Sequence, residues 1–110
     1  MRDKILELIK NEKITFTQSK EENTLFINFN FKERVTDFYF SFDKSYEKKI
    51  LKIAPNLTLE KDFEEVYINT SIEDFNLLTN EQKVELVYLW VEDSDCECTY
   101  EYVCNLIDDL

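Results

Sequence analysis

The stretch Thr24 to Asp43, TLFINFNFKERVTDFYFSFD, decides the fold. Leu25, Ile27, Phe29 and Phe31 alternate with Phe26, Asn28 and Asn30, and Phe38, Phe40 and Phe42 then alternate with Tyr39, Ser41 and Asp43. Period-two alternation sends successive side chains to opposite faces, so the two runs predict a half-buried hairpin with Lys32 to Val35 as its turn. Each inward aromatic ring withdraws a large apolar area from water, and the inward set forms one wall of a core.

On the N-terminal side, residues 2 to 12 read as an amphipathic helix with Ile5, Leu6, Leu8 and Ile9 on one arc. Asp3 near its start and Lys10 near its end suit the helix dipole. Asn11 is expected to close it in a left-handed conformation, a role Asn takes where glycine is absent. Ile14 to Gln18 is a short strand, and Ser19 to Asn23 is the turn into the hairpin, completing an antiparallel meander of three strands.

On the C-terminal side, Lys44 to Ala54 returns to helical spacing through Tyr46, Ile50, Leu51 and Ile53, and Pro55 stops it. Residues 58 to 70 fit two descriptions. Thr58 can cap a helix carrying Leu59, Phe63, Val66 and Tyr67, while Val66 and Ile68 also alternate as in a strand; the helix is the reading adopted. Ser71 caps a short turn, Ile72 to Leu78. Thr79-Asn-Glu-Gln82 has the form of a capping box and starts a helix from Asn80 to about Glu92, with Val84, Val87 and Val91 on one side, widened by Leu86 and Trp90. Thr99 is expected to cap a last helix with Tyr100, Val103, Ile107 and Leu110 inward and Glu101, Asn105 and Asp108 outward. The expected fold is a single α+β domain: an N-terminal helix, a three-stranded antiparallel meander, and acidic C-terminal helices on the sheet, with a junction between layers near Pro55 to Leu57. Phe29, Phe40 and Trp90 are expected in its core.

Net charge is −11 over 110 residues, and it is unevenly placed. Residues 1 to 57 hold 11 Lys/Arg against 9 Asp/Glu, whereas residues 58 to 110 hold 2 against 15. Acidic surfaces keep small proteins in solution, but solubility does not require one half to carry the whole excess. A face for a basic partner does, and it would repel nucleic acid and anionic lipid. With no His, the commonest general base and metal ligand is missing, as is every Ser-His or Cys-His nucleophile. With no Gly there is no phosphate loop or dinucleotide fingerprint. A non-enzymatic protein is the expectation. Met1 to Lys4 is charged and the longest apolar run, Leu86 to Val91, falls far short of a bilayer span, so no membrane partner and a cytoplasmic location are expected. The sequons at Asn56 and Asn69 have meaning only in a secreted protein.

Two clusters invite a metal reading. Cys96-x-Cys98-x5-Cys104 offers three thiols, whereas zinc sites usually pair two clusters or add histidines; packing as small apolar residues is the simpler account. Asp93-x-Asp95-x-Glu97 resembles the opening of a calcium loop but has Cys98 where a glycine turn is needed and Cys104 where a bidentate Glu is needed. No metal and no cofactor are therefore expected. The acidic stripe is the remaining candidate: Glu81, Glu85 and Glu92 fall within ~40° of one another on the expected helix and span ~16 Å. Asp93, Asp95, Glu97, Glu101, Asp108 and Asp109 extend it as partner-binding residues. Duplex DNA carries one negative charge per ~1.7 Å of axis, and an acidic protein face can imitate a short piece of it.

A helix ending in Asn11-Glu12-Lys13, an antiparallel meander and then acidic helices without catalytic motifs resembles, in element order and charge over most of the chain, the small phage-encoded anti-CRISPR proteins that block Cas nucleases as nucleic-acid mimics. The resemblance implies stoichiometric inhibition of a Cas effector or other nuclease, in the host cytoplasm, by occluding a nucleic-acid or protospacer-motif site. An immunity protein or antitoxin neutralising a basic nuclease toxin fits the same charge, and a small metal module built on Cys96, Cys98 and Cys104 is a third alternative.

Overall fold

The computed structural model describes residues 1–21, 24–93 and 97–110, the last segment by backbone alone over 97–100. Helix α1 (Arg2–Lys10) leads into β1 (Ile14–Gln18), β2 (Leu25–Asn30) and β3 (Val35–Tyr39), which form an antiparallel sheet in the order β1-β2-β3. The expected meander is present. The second run of the opening stretch, however, is divided. Val35–Tyr39 pairs with β2, while Ser41–Asp43 is β4 and joins a second antiparallel sheet, β4-β6-β5, with β5 (Leu59–Lys61) and β6 (Glu65–Ile68). Phe40 is the crossover: its N–H still bonds Leu25 O at 2.9 Å, and the next residue belongs to the other sheet. Phe38, Phe40 and Phe42 keep turning toward the core throughout, so alternation continues unbroken across a change of partner.

The helix expected over residues 58 to 70 is corrected to the β5–β6 hairpin. Val66 and Ile68 are fully buried on the inner face, opposite Phe42 and beside Leu59, whereas Phe63 stands 88% exposed at the tip. A helix would have placed Phe63 on the same buried face as Leu59 and Val66. The strand wins because β4 supplies a ready edge for β6, and ladder hydrogen bonds to a distant segment outweigh local helical spacing. Lys44–Tyr46 is a 3-10 turn entering α2 (Glu47–Ile53), close to the expected helix.

The end of α1 also differs from expectation. Asn11 has a negative φ of −92°, and Glu12 takes the left-handed conformation at φ 58°. Glu12 N donates to Ile9 O at 3.2 Å and Lys13 N to Leu8 O at 2.8 Å, the paired bonds of a Schellman motif one residue further on. Asn30 fixes that register, since its N–H bonds Lys13 O and its Nδ2 bonds Glu12 O at 3.1 Å.

Helix α3 (Ile72–Phe75) is capped by Ser71, whose Oγ accepts Asp74 N. Helix α4 (Asn80–Asp93) starts on the expected capping box: Gln82 N donates to Thr79 Oγ1 at 3.1 Å and Thr79 N to Gln82 Oε1 at 2.9 Å. Its Val84, Leu86, Val87, Trp90 and Val91 are buried, and the Trp90 ring lies 5.6 Å from Phe38 and 6.2 Å from Phe29 and Phe40. Phe29 and Phe40 are fully buried and Trp90 nearly so, as expected. Helix α5 (Glu97–Asp109) begins two residues before Thr99, which therefore lies within the first turn and not at its cap. Val103, Leu106 and Ile107 face inward, while Tyr100's side chain lies outside the described residues. Among the described residues, no helix is long and apolar enough to cross a membrane.

Candidate acidic interface

The acids singled out in the sequence end in different environments. Glu81 is exposed in the first turn of α4, and Glu92 is exposed near its end. Between them Glu85 is engaged: α1 lies along α4, and Arg2 Nε donates to Glu85 Oε1 at 2.8 Å. The same guanidinium sits 4.0 Å from the centre of the Tyr88 ring. The bond to Glu85 raises the Arg2 pKa, with smaller help from the nearby Glu92 charge. Arg2 thus sets a positive charge into the middle of the stripe. Asp93 is also committed, accepting Asp43 N at 2.9 Å with Oδ2 and so tying the end of α4 to β4. Glu101, Asp108 and Asp109 are exposed along α5. Asp95, Cys96, and the side chains of Glu97 and Cys98 lie outside the described residues.

The tertiary structure adds acids that the helical reading of 58–70 had concealed. The β4–β6 register sets Asp43 directly opposite Glu65, both exposed, because Phe42 and Val66 take the buried face. Asp62, whose N–H bonds Glu65 O at 2.9 Å, continues that row across the hairpin. Glu60 lies opposite Tyr67, which is opposite Ser41, in the next row. Asp43, Glu64, Glu65 and Asp93 line one groove together with Ser45 and Tyr46, and no Lys or Arg is among its lining residues. Ser45 donates both its hydroxyl and its backbone N–H to Asp43 Oδ2, and these bonds hold the Asp43 carboxyl below its ordinary pKa. Asp43 therefore stays negative further into acid than a solvated aspartate. Lys61 pairs with Glu47 at 2.8 Å and lines the adjoining groove with Glu60, Asp62 and Glu65. The alternation of Val66 and Ile68 was the signal in the sequence that would have found this face.

Carboxylates also gather where helix dipoles disfavour them. Both α4 and α5 end in acids, Glu92-Asp93 and Asp108-Asp109, with no basic residue in either last turn. Negative charge at a helix C-terminus is destabilising by ~0.3–1 kcal/mol per group when exposed, and like charges opposite each other across strands are unfavourable too. Among the described residues no group of three Asp, Glu or Cys side chains is arranged to hold a metal ion, and Cys104 is a half-buried free thiol. The arrangement can instead present a dense negative surface to basic side chains. Comparison with protein-family models, with curated proteins and with solved structures finds no match to this chain.

Proposed function

We propose that this chain is a non-enzymatic inhibitory binding protein whose acidic face occupies a basic nucleic-acid-binding surface of a defence nuclease, in the manner of the anti-CRISPR nucleic-acid mimics it resembles. The observation that supports this most is the row Asp43–Glu65–Asp62 with Asp93 beside it, a set of like charges that the fold holds together instead of dispersing. Strands stand ~4.8 Å apart, so carboxylates on this row approach the spacing of one charge per ~3.4 Å carried by a single DNA strand. Exposed Glu81, Glu92, Glu101, Asp108 and Asp109 extend the field over the helices. Glu85 serves chiefly to anchor Arg2. The same field would steer a basic partner in quickly at low salt.

The test begins with affinity capture from the source cell at low salt, repeated at high salt, and proceeds to competition on the retained partner. The chain should displace nucleic acid from that partner while binding no nucleic acid itself. Reversing Asp43 and Glu65 to Lys should weaken the competition at least a hundredfold with the fold intact, as should Glu81→Lys with Glu92→Lys, because each 1.4 kcal/mol of interfacial repulsion is tenfold in affinity. Direct binding of nucleic acid by the chain, or undiminished competition by both double variants, overturns the reading. A retained toxin nuclease, inhibited without nucleic-acid displacement, would instead favour an immunity protein.

A further inference from the structure

The two sheets have four outer strands, β1 and β3 in the first and β4 and β5 in the second. Three are tied or short. Gln18 at the end of β1 donates Nε2 to Thr70 O at 3.4 Å and accepts Ile72 N at 3.3 Å, fastening that strand to the segment leading into α3. The N–H of Asp43 on β4 is taken by Asp93. Strand β5 is three residues long, with Lys61 held on Glu47. Strand β3, like β1 five residues long, has β2 on one side and, among the described residues, no further strand on the other.

The direction of its hydrogen bonds follows from the register. Phe31 N bonds Arg34 O and Phe40 N bonds Leu25 O, so between these limits the bonded pairs are Ile27 with Phe38 and Phe29 with Thr36. Thr36 and Phe38 therefore spend their backbone groups on β2. Val35, Asp37 and Tyr39 direct theirs outward, and Val35 and Tyr39 are 59% and 53% exposed. An unpaired ladder of this kind is a template for another strand, and native proteins normally cover it or blunt it.

We propose that β3 is a docking edge that accepts an extended, Lys- or Arg-bearing segment of a protein partner as a fourth strand of the first sheet. The chemistry of the edge selects that occupant. Asp37 is exposed at its centre, between Val35 and Tyr39, so a cation directly opposite Asp37 is favoured, with β-branched or aromatic residues opposite its neighbours. A second copy of this chain fits poorly: antiparallel self-pairing about the centre sets Asp37 against Asp37, and a two-residue shift leaves one end of the ladder unpaired. The edge adjoins the acidic second sheet, since Tyr39 lines a groove with Glu60, Asp62 and Glu65, but the ladder at Val35, Asp37 and Tyr39 does not rest on that sheet.

The probe is the capped peptide Thr-Val-Thr-Lys-Thr-Val-Thr, added to the full chain and followed by amide hydrogen exchange. Exchange at Val35, Asp37 and Tyr39 should slow at least tenfold at millimolar peptide, while Thr36 and Phe38, already protected by β2, should be unchanged. The same peptide N-methylated at its Val and Lys amides keeps its charge but cannot complete the ladder, and should give no slowing. Asp37→Lys should exchange the preference to a peptide with Glu in place of Lys, and protection at Thr36 and Phe38 reports that the variant is folded. Absence of slowing at the three outward amides, equal slowing by the N-methylated peptide, or protection of those amides by dimerisation of the chain alone overturns the proposal.

Discussion

The two sheets solve the same problem differently. On the outer face of the first, Asn28 is 4% exposed and its Nδ2 lies 3.3 Å from both Thr15 Oγ1 and Thr17 Oγ1, while Asn30 Nδ2 reaches Thr15 Oγ1 at 2.9 Å. The centre of this face is neutral and internally hydrogen-bonded, with the Phe26 and Tyr39 rings 4.7 Å apart beside it and Asp37 exposed on β3. On the outer face of the second, strands of three and four residues carry Asp43 against Glu65, with like charges where a hydrogen-bonded pair would have served. The centre of the first sheet uses its Asn and Thr side chains on itself. The second sets like charges side by side, each carboxylate with only a local hydrogen bond from Ser45 or Tyr67, and it owes its place to the side chains beneath it, Phe42, Val66 and Ile68.

The comparison is broken most severely at Phe40, the residue shared by both sheets. Its ring meets Phe16 at 5.6 Å, Phe42 at 5.2 Å and Trp90 at 6.2 Å, and Phe40→Ala should cost about 3–5 kcal/mol, a large part of the stability of a domain this size. Urea denaturation monitored by Trp90 fluorescence measures it; a loss under 1 kcal/mol would mean the sheets do not depend on a common core. A smaller effect tests the first sheet alone. Asn28→Ala leaves the Thr17 hydroxyl without its amide partner and Thr15 with Asn30 alone, and should cost about 1–3 kcal/mol. The smallest tests the second: Glu65→Gln should raise the denaturation midpoint slightly, by removing the like charge opposite Asp43, while weakening any basic partner. A lower midpoint would show that Glu65, which also accepts the Tyr67 hydroxyl, is there for stability.

Acid provides a fourth contrast. Because Ser45 holds Asp43 below its ordinary pKa, that contribution is complete above the pKa of an unfolded aspartate and is lost only as pH falls through the lower folded value. Ser45→Ala should move the Asp43 titration, followed by carboxyl NMR shifts, back toward the ordinary value. The Asn28 network carries no charge and should be indifferent over the same range.

Local chemistry by itself determined β1, β2 and α4. Alternation in Ile14–Gln18 and Leu25–Asn30, the Thr79–Gln82 capping box and the apolar arc of α4 are written in neighbouring residues, and nearest-neighbour physics was enough to read them. The concentration of negative charge in residues 58 to 110 was equally plain. Only the tertiary structure decided where the chain leaves one sheet for the other, because period two specifies which face a residue takes and not which strand it pairs with. It also decided that residues 59 to 68 are strands, since the edge that holds them is β4, far away in sequence. Through the packing of α1 on α4 it brought Arg2 to Glu85, 83 positions apart, placing a cation within a stripe of acids. Contacts between distant segments leave no periodic trace in either one, and the surface that a partner would meet is made from them.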